Sequence, residues 1–197
     1  MPFNCRFLDY RSRMVSGLTL LQAEDTHRAR ERWSYPLLVE ELRRVSGAPK
    51  RDAHELFRRM VSNAMISNSD DHPRNHAVVA KALEWQLSPA YDLVPTTPVS
   101  VEHRELALIG GDAGRFANRT NLLSQCARFL LTCDDARAIF DTLCTCVESR
   151  WHAVAKAAGV SESDCRRIER AFLYEGLFSV MHEWKRRRSS MHDMYME

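Results

Sequence analysis

From residue 19 to residue 68 the apolar positions recur at helical spacing. Leu37, Leu38, Leu42 and Val45, with Glu41 among them, set a stripe at i, i+1, i+4, i+5 that Ser46-Gly47 closes. "GAPKRD" breaks the pattern, and Asp52 is placed to cap the next helix. There Leu56, Phe57, Met60, Val61, Ala64 and Met65 share one face, with Arg58, Arg59 and Ser62 opposite. The spacing predicts a helix to about Asn68, and Pro73 stops it from continuing. After that the period changes. "HAVVA" and "EWQLS" on either side of "KAL" read as a β-hairpin, and "SPAYDLVPTTPVS" as extended chain broken by prolines. From about Asn121 the helical period returns in three runs. Asp134 or Asp135 and Ser161 or Ser163 are the expected caps, and Gly159 the expected stop. The stretch before residue 19 reads as irregular. The pattern predicts a mainly α fold, a helical bundle with one β-hairpin beside a charged loop.

Composition adds limits. At 197 residues the chain fits one domain, and 45% hydrophobic with 27% charged residues is ordinary for a soluble globular protein. The formal charge is +2, from 28 basic and 26 acidic residues, which gives no electrostatic case for direct nucleic-acid or membrane binding. No apolar run is long enough to cross a bilayer, and "MPFNCRFLDYRSR" lacks a secretory h-region. Six cysteines without framework spacing suit a reducing compartment, so the cytoplasm is expected; "CTC" at 144–146 has no partners for a zinc site. Trp33, Trp85, Trp151 and Trp184 read as core anchors, and "KRRR" at 185–188 as a solvated helix end.

The charged loop "DDHPRN" (70–75) carries the chemistry. Protein kinases place an Asp near the attacking hydroxyl and, five positions later, an Asn that holds magnesium. Asp70 and Asn75 have that separation, and Asp92 in "LSPAYDL" follows on a ribbon able to return it to the loop. Magnesium (Mg2+) is a hard cation that takes oxygen ligands and keeps several waters, so an amide oxygen and a carboxylate are enough protein donors. His72 is placed to fix the loop by hydrogen bonds, and Arg74 to face phosphate oxygens. A solvated turn after a helix is the competing reading of the same residues.

Here the sequence resembles the HipA-like kinases, serine/threonine kinases of bacterial toxin–antitoxin pairs. "DDHPRN" matches that family's D-x-H-x-x-N loop and "LSPAYD" (87–92) its L-[ST]-P-x-Y-D segment. "SGLTLL" (16–21), "ELALIGGDAGRFANRTNLL" (105–123) and the helical tail extend the likeness over nearly the whole chain. The resemblance implies a kinase-like C-lobe spanning 1–197, with ATP and Mg2+ as cofactors. Asp70 would be the catalytic base, and Asn75 and Asp92 the magnesium ligands. His72, Pro73, Arg74, Asn75, Tyr91 and Asp92 would line the nucleotide. Asp71 departs from the family, where glycine is common; an extra carboxylate there would hold metal or weaken nucleotide binding. "RFLDYR" (6–11) resembles the end of a hinge, so the N-lobe is expected to be absent. "VVAK" (78–81) lies after the loop and reads as the first strand of the hairpin, and "GGDAG" (110–114) as a turn.

Two functions follow. One is an ATP-dependent kinase of a protein substrate, completed by an N-lobe from a separate polypeptide or from further sequence of the same one. The other is a catalytically silent half that binds a partner such as an antitoxin, reaching DNA only through it and not engaging membranes. Lipid kinases share D-R-H-x-x-N but not the other marks.

Overall fold

The structure is a computed structural model and describes residues 12–81, 83–97 and 100–178. The expected hairpin is β2 (Ala77–Lys81) against β3 (Glu84–Leu87), with Val78 opposite Leu87. A further strand, β1 (Met14–Ser16), joins antiparallel on the other side of β2, Val15 opposite Val78. Three residues are too short to show alternation, so this strand is set by pairing with a distant edge and not by its own pattern.

Serine caps open two of the early helices. Ser16 accepts from Thr19 N at the start of α1 (Gly17–Leu20). After a 3-10 turn at His27–Arg32, Ser34 accepts from Leu37 N to begin α2 (Tyr35–Val45). The inward face of α2 is Tyr35, Leu38, Val39 and Leu42, whereas Leu37 and Val45 reach solvent, so the expected stripe is rotated toward Tyr35.

The next helix, α3 (Pro49–Met65), begins before the expected cap, because Pro49 suits the first turn with its fixed φ. Asp52 is instead buried in that turn. Its carboxylate accepts from Ser46 Oγ at 2.7 Å, Arg51 Nε at 2.9 Å and Leu87 N at 2.8 Å, tying the helix to β3. All six apolar residues expected on the inner face are buried. Arg59, expected outside, is buried as well; it pairs with Glu55 at 3.1 Å and donates to the Ser88 carbonyl at 2.5 Å.

Asn118 caps α4 (Arg119–Ser124), and a 3-10 turn at Cys126–Phe129 follows. Thr132 caps α5 (Cys133–Ala157), so Asp134 and Asp135 fall in its first turn, where negative charge is favourable. Gly159, at φ +87°, ends α5 as expected, and Ser161 caps α6 (Glu162–Ile168). The third helical run stops after Ile168 and continues as 3-10 turns at Glu169–Ala171 and Glu175–Leu177. The Ala171 carbonyl accepts from Ser67 Oγ at 2.6 Å and that of Arg170 from Arg104 at 2.9 Å, so both serve tertiary contacts.

The core centres on α3, which packs against α2, the Cys126–Phe129 turn and α5. Phe57 and Phe129 meet edge to face at 5.3 Å. Each such fully buried side chain contributes about 1.5–3 kcal/mol by leaving water. Trp33 is buried, but Trp85 and Trp151 are half-buried, and Trp151 stacks on Phe172 at the surface. Trp184, "RFLDYR" and "KRRR" lie outside the described residues.

Candidate functional site

Helix α3 delivers the charged loop. It ends where Ser67 turns left-handed at φ +55°, which stops the helix and points the chain at the sheet. The loop is then wound by its own backbone. His72 N donates to the Asp70 carbonyl at 2.8 Å, Asn75 N to that of His72 at 2.7 Å, and Asn75 Nδ2 to Asp70 O at 3.3 Å. A 3-10 turn at Pro73–Asn75 results, with proline preset for its first position. Gly17 N donates to the His76 carbonyl at 2.6 Å, and a Cβ on Gly17 would lie 2.6 Å from the Pro73 carbonyl oxygen. Only glycine permits this approach, which gives "SGLTLL" a physical reason.

Adjacent aspartates face opposite ways. Asp70 is exposed. Asp71 is 1% exposed, accepts a hydrogen bond from the Tyr35 hydroxyl, and has His76 Nε2 at 3.2 Å from both carboxylate oxygens. The expectation that Asp71 adds open charge or a metal ligand is therefore corrected: its carboxylate is turned into the protein and engaged there. The network continues. Asn63 Nδ2 donates to Tyr35 Oη at 3.0 Å, and Asn68 Nδ2 donates to Asn63 Oδ1 at 3.2 Å and to the Asp92 carbonyl at 3.3 Å. Tyr35, Asn63 and Asn68 thus connect the underside of the loop to the main chain of Asp92. Nothing in their spacing marks them.

The ribbon after β3 is held beside the loop in two further ways. Arg59 grips the Ser88 carbonyl, and the Tyr91 hydroxyl donates to the Arg74 carbonyl. Partial burial pushes the Tyr91 hydroxyl above its ordinary range, against the nearby Arg59 cation, so it stays a donor. Asp92 sits at φ +58°, a conformation that aspartate tolerates better than most residues.

On the outer side, His72 and Arg74 meet Asp25, a residue sequence reading passed over. His72 Nε2 lies 2.9 Å from Asp25 Oδ1 and Arg74 Nη1 2.6 Å from Oδ2. Because Arg74 N donates to His72 Nδ1 at 3.1 Å, Nε2 carries the hydrogen toward Asp25. The His72 hydrogen bond, helped by Arg74, holds the Asp25 carboxyl below the usual range. His72 also sits edge-on to Trp33 at 4.2 Å. As expected from its chemistry His72 fixes the loop, while Arg74 is engaged by Asp25.

Among the described residues, neither the Asp70 nor the Asp92 carboxylate makes a hydrogen bond or ion pair, and both are exposed. Asn75 spends its amide nitrogen on Asp70 O, leaving its oxygen as a donor to a cation. No group of three His, Cys, Asp or Glu side chains forms a cage among the described residues. An all-oxygen set with few protein ligands fits magnesium, which takes the rest of its shell from water and phosphate.

A mainly α bundle with a small sheet, built around a D-x-H-x-x-N turn and an aspartate ribbon, defines the class of domain. The family model for the HipA-like C-terminal domain matches residues 4–151, and the chain belongs to that family. Among solved structures it is similar to a chain in the Shewanella oneidensis MR-1 toxin–antitoxin complex of HipA, HipB and operator DNA. The identity is 14% and the TM-score 0.61, over 82% of this chain and 41% of that one, a likeness of fold. This chain thus spans about two fifths of that one. No curated protein matches it. No described helix is long and apolar enough to cross a membrane.

Proposed function

We propose that this chain is the C-lobe of a HipA-like protein serine/threonine kinase, which moves the terminal phosphate of ATP to a protein hydroxyl as the toxin of a cytoplasmic toxin–antitoxin pair. The observation that carries this reading is the joining of two segments. The turn bearing Asp70 and Asn75 is bonded, through Asn68 and through Tyr91, to the ribbon bearing Asp92. In this reading a carboxylate oxygen of Asp70 orients the acceptor Ser or Thr hydroxyl and takes its proton as the oxygen attacks the terminal phosphorus. ADP leaves from the opposite side. Asn75 Oδ1 and the Asp92 carboxylate would hold magnesium, which offsets phosphate charge when bound. His72 and Pro73 keep the turn wound, and Tyr91 fixes the ribbon to it. Arg74 would exchange Asp25 for a phosphate oxygen when nucleotide enters.

A kinase of this type also needs a phosphate-covering loop and a lysine on an N-lobe, so the proposal includes an N-lobe from elsewhere in the same polypeptide or from another one. An antitoxin is the expected partner, and DNA is reached through it. The test is phosphate transfer to protein by the chain combined with that N-lobe, with magnesium and ATP. Transfer that Asp70→Asn abolishes supports the reading; an assembled pair without transfer overturns it. The competing reading, a silent half that binds a partner, draws on exposed apolar side chains such as Leu93 and Val94, which follow Asp92. Under that reading magnesium and ATP leave the melting temperature unchanged, whereas binding at 100 times Kd would stabilise by about 2.7 kcal/mol.

A further inference from the structure

A groove of about 270 Å³ opens beside the loop on residues that, Asn68 apart, none of the roles above uses. Asn68 and Ser69, immediately before Asp70, form one wall; Thr96 and Thr97, shortly after Asp92, form another; Arg104 lies in the lining. His72, Pro73, Arg74, Asn75 and Tyr91 do not border it. The groove therefore begins at Ser69, the residue before Asp70, and none of the residues assigned to nucleotide lines it.

Arg104 gives it a charge. The residue is 7% exposed. Its Nε donates to the Ser100 carbonyl at 2.8 Å, its Nη1 to Ser67 Oγ and to the Ala171 carbonyl at 3.5 Å, and its Nη2 to the Arg170 carbonyl at 2.9 Å. The guanidinium also lies 4.1 Å from the centre of the Tyr174 ring. Every one of these partners is neutral. Four contacts leave one of the five N–H groups of an arginine without an acceptor. Burial weakens its hold on the proton, as expected of a cation with no carboxylate to offset it among the described residues. The other charged groups lining the groove, His103 and Glu105, pair with each other at 3.1 Å, and Glu105 is exposed. A buried positive charge thus lies in the lining of a groove that also carries the hydroxyls of Ser69, Thr96 and Thr97 beside apolar Ala64, Leu106 and Ala117.

We infer that this groove binds the acceptor protein's segment next to the phosphorylated Ser or Thr, and that it selects an acidic side chain there. The inference rests on the kinase reading, because that reading requires a protein hydroxyl at Asp70 and this concavity adjoins Asp70. The hydroxyls of Ser69, Thr96 and Thr97 suit the peptide bonds of an extended segment. Arg104 supplies the charge that an Asp or Glu of that segment completes, and a charge-assisted bond of this kind is among the stronger ones.

The experiment uses the whole chain without ATP and two fluorescein-labelled serine peptides, identical except that one carries glutamate and the other lysine beside the serine. Anisotropy titration should show the glutamate peptide binding about tenfold tighter or better, the scale of a hydrogen bond to a charged group. Arg104→Lys tests the cation, but Arg104 also clamps three segments, so the deciding variant is Thr97→Glu at an exposed position. A carboxylate there should remove the preference for glutamate or reverse it toward lysine. Equal binding of both peptides, binding of neither, or a preference unchanged in Thr97→Glu overturns the inference. So does inorganic phosphate displacing the peptide as effectively as unlabelled peptide, which would mark a small-anion site. Phosphate transfer by the chain assembled with its N-lobe separates the two claims. Selective peptide binding without transfer from the assembled pair sinks the kinase reading and keeps the groove; transfer without selectivity does the reverse.

Discussion

Asp70 and Asp71 are the same residue one position apart, yet the loop gives them opposite surroundings. The Asp70 carboxylate faces solvent with no hydrogen bond or ion pair among the described residues, while Asp71 is closed in against Tyr35 and His76. Removing a carboxylate from water costs several kcal/mol, and only close hydrogen bonds and an opposite charge recover it. The inner aspartate is thereby committed to holding the loop in shape. The outer one remains free to meet a proton or a cation. Burial, more than residue type, separates the organising acid from the reactive one.

Substitution at each position should break that contrast in a different observable. Asp70→Asn should lower phosphate transfer about 10²–10⁴-fold, the usual scale for a lost general base, with stability changed by less than about 0.5 kcal/mol. A large drop in urea-unfolding stability would show that Asp70 is structural after all. Asp71→Ala should act the other way, lowering unfolding free energy by about 3–5 kcal/mol because it strands His76 and Tyr35 in the interior. A loss below about 1 kcal/mol would mean that the buried network carries little weight.

Tyr35→Phe keeps the ring and removes the hydroxyl that joins Asp71 to Asn63, so a loss of about 1–3 kcal/mol is expected in denaturant titration. Manganese binding followed by electron spin resonance should also weaken, since one of the two links from loop to ribbon passes through that hydroxyl. Unchanged metal affinity would reduce Tyr35 to a stabilising role. The smallest effect belongs to Asp25→Asn. The Asp25 carboxyl is held below its ordinary value, so its contribution is present above the unfolded pKa of about 4 and fades as pH falls through the lower folded value. Wild-type and variant melting temperatures should differ slightly above that pH and converge in stronger acid. A difference that persists there would point to a cause other than charge.

Helix α3, the hairpin and the Gly159 stop could be read from the pattern, because each is governed by neighbours along the chain: helical spacing, alternation, backbone freedom. Strand β1 could not, being too short to carry a pattern of its own. The rotation of α2 toward Tyr35 and the burial of Arg59 were also hidden, since both depend on what lies opposite. At the loop, the spacing of Asp70 and Asn75 and the later Asp92 were visible as residue types at intervals. Their supports, Tyr35, Asn63, Asn68 and Asp25, come from segments with no motif.

By itself the sequence determined the order of elements and which oxygen-bearing side chains were on offer, since propensity, periodicity and spacing are local properties. The tertiary structure decided which of two neighbouring aspartates faces water, how the ribbon of Asp92 is fastened to the loop, and where Arg104 is buried among neutral hydrogen-bond partners. Those outcomes depend on desolvation and hydrogen-bond closure between distant segments, and such energies exist only once the chain has packed.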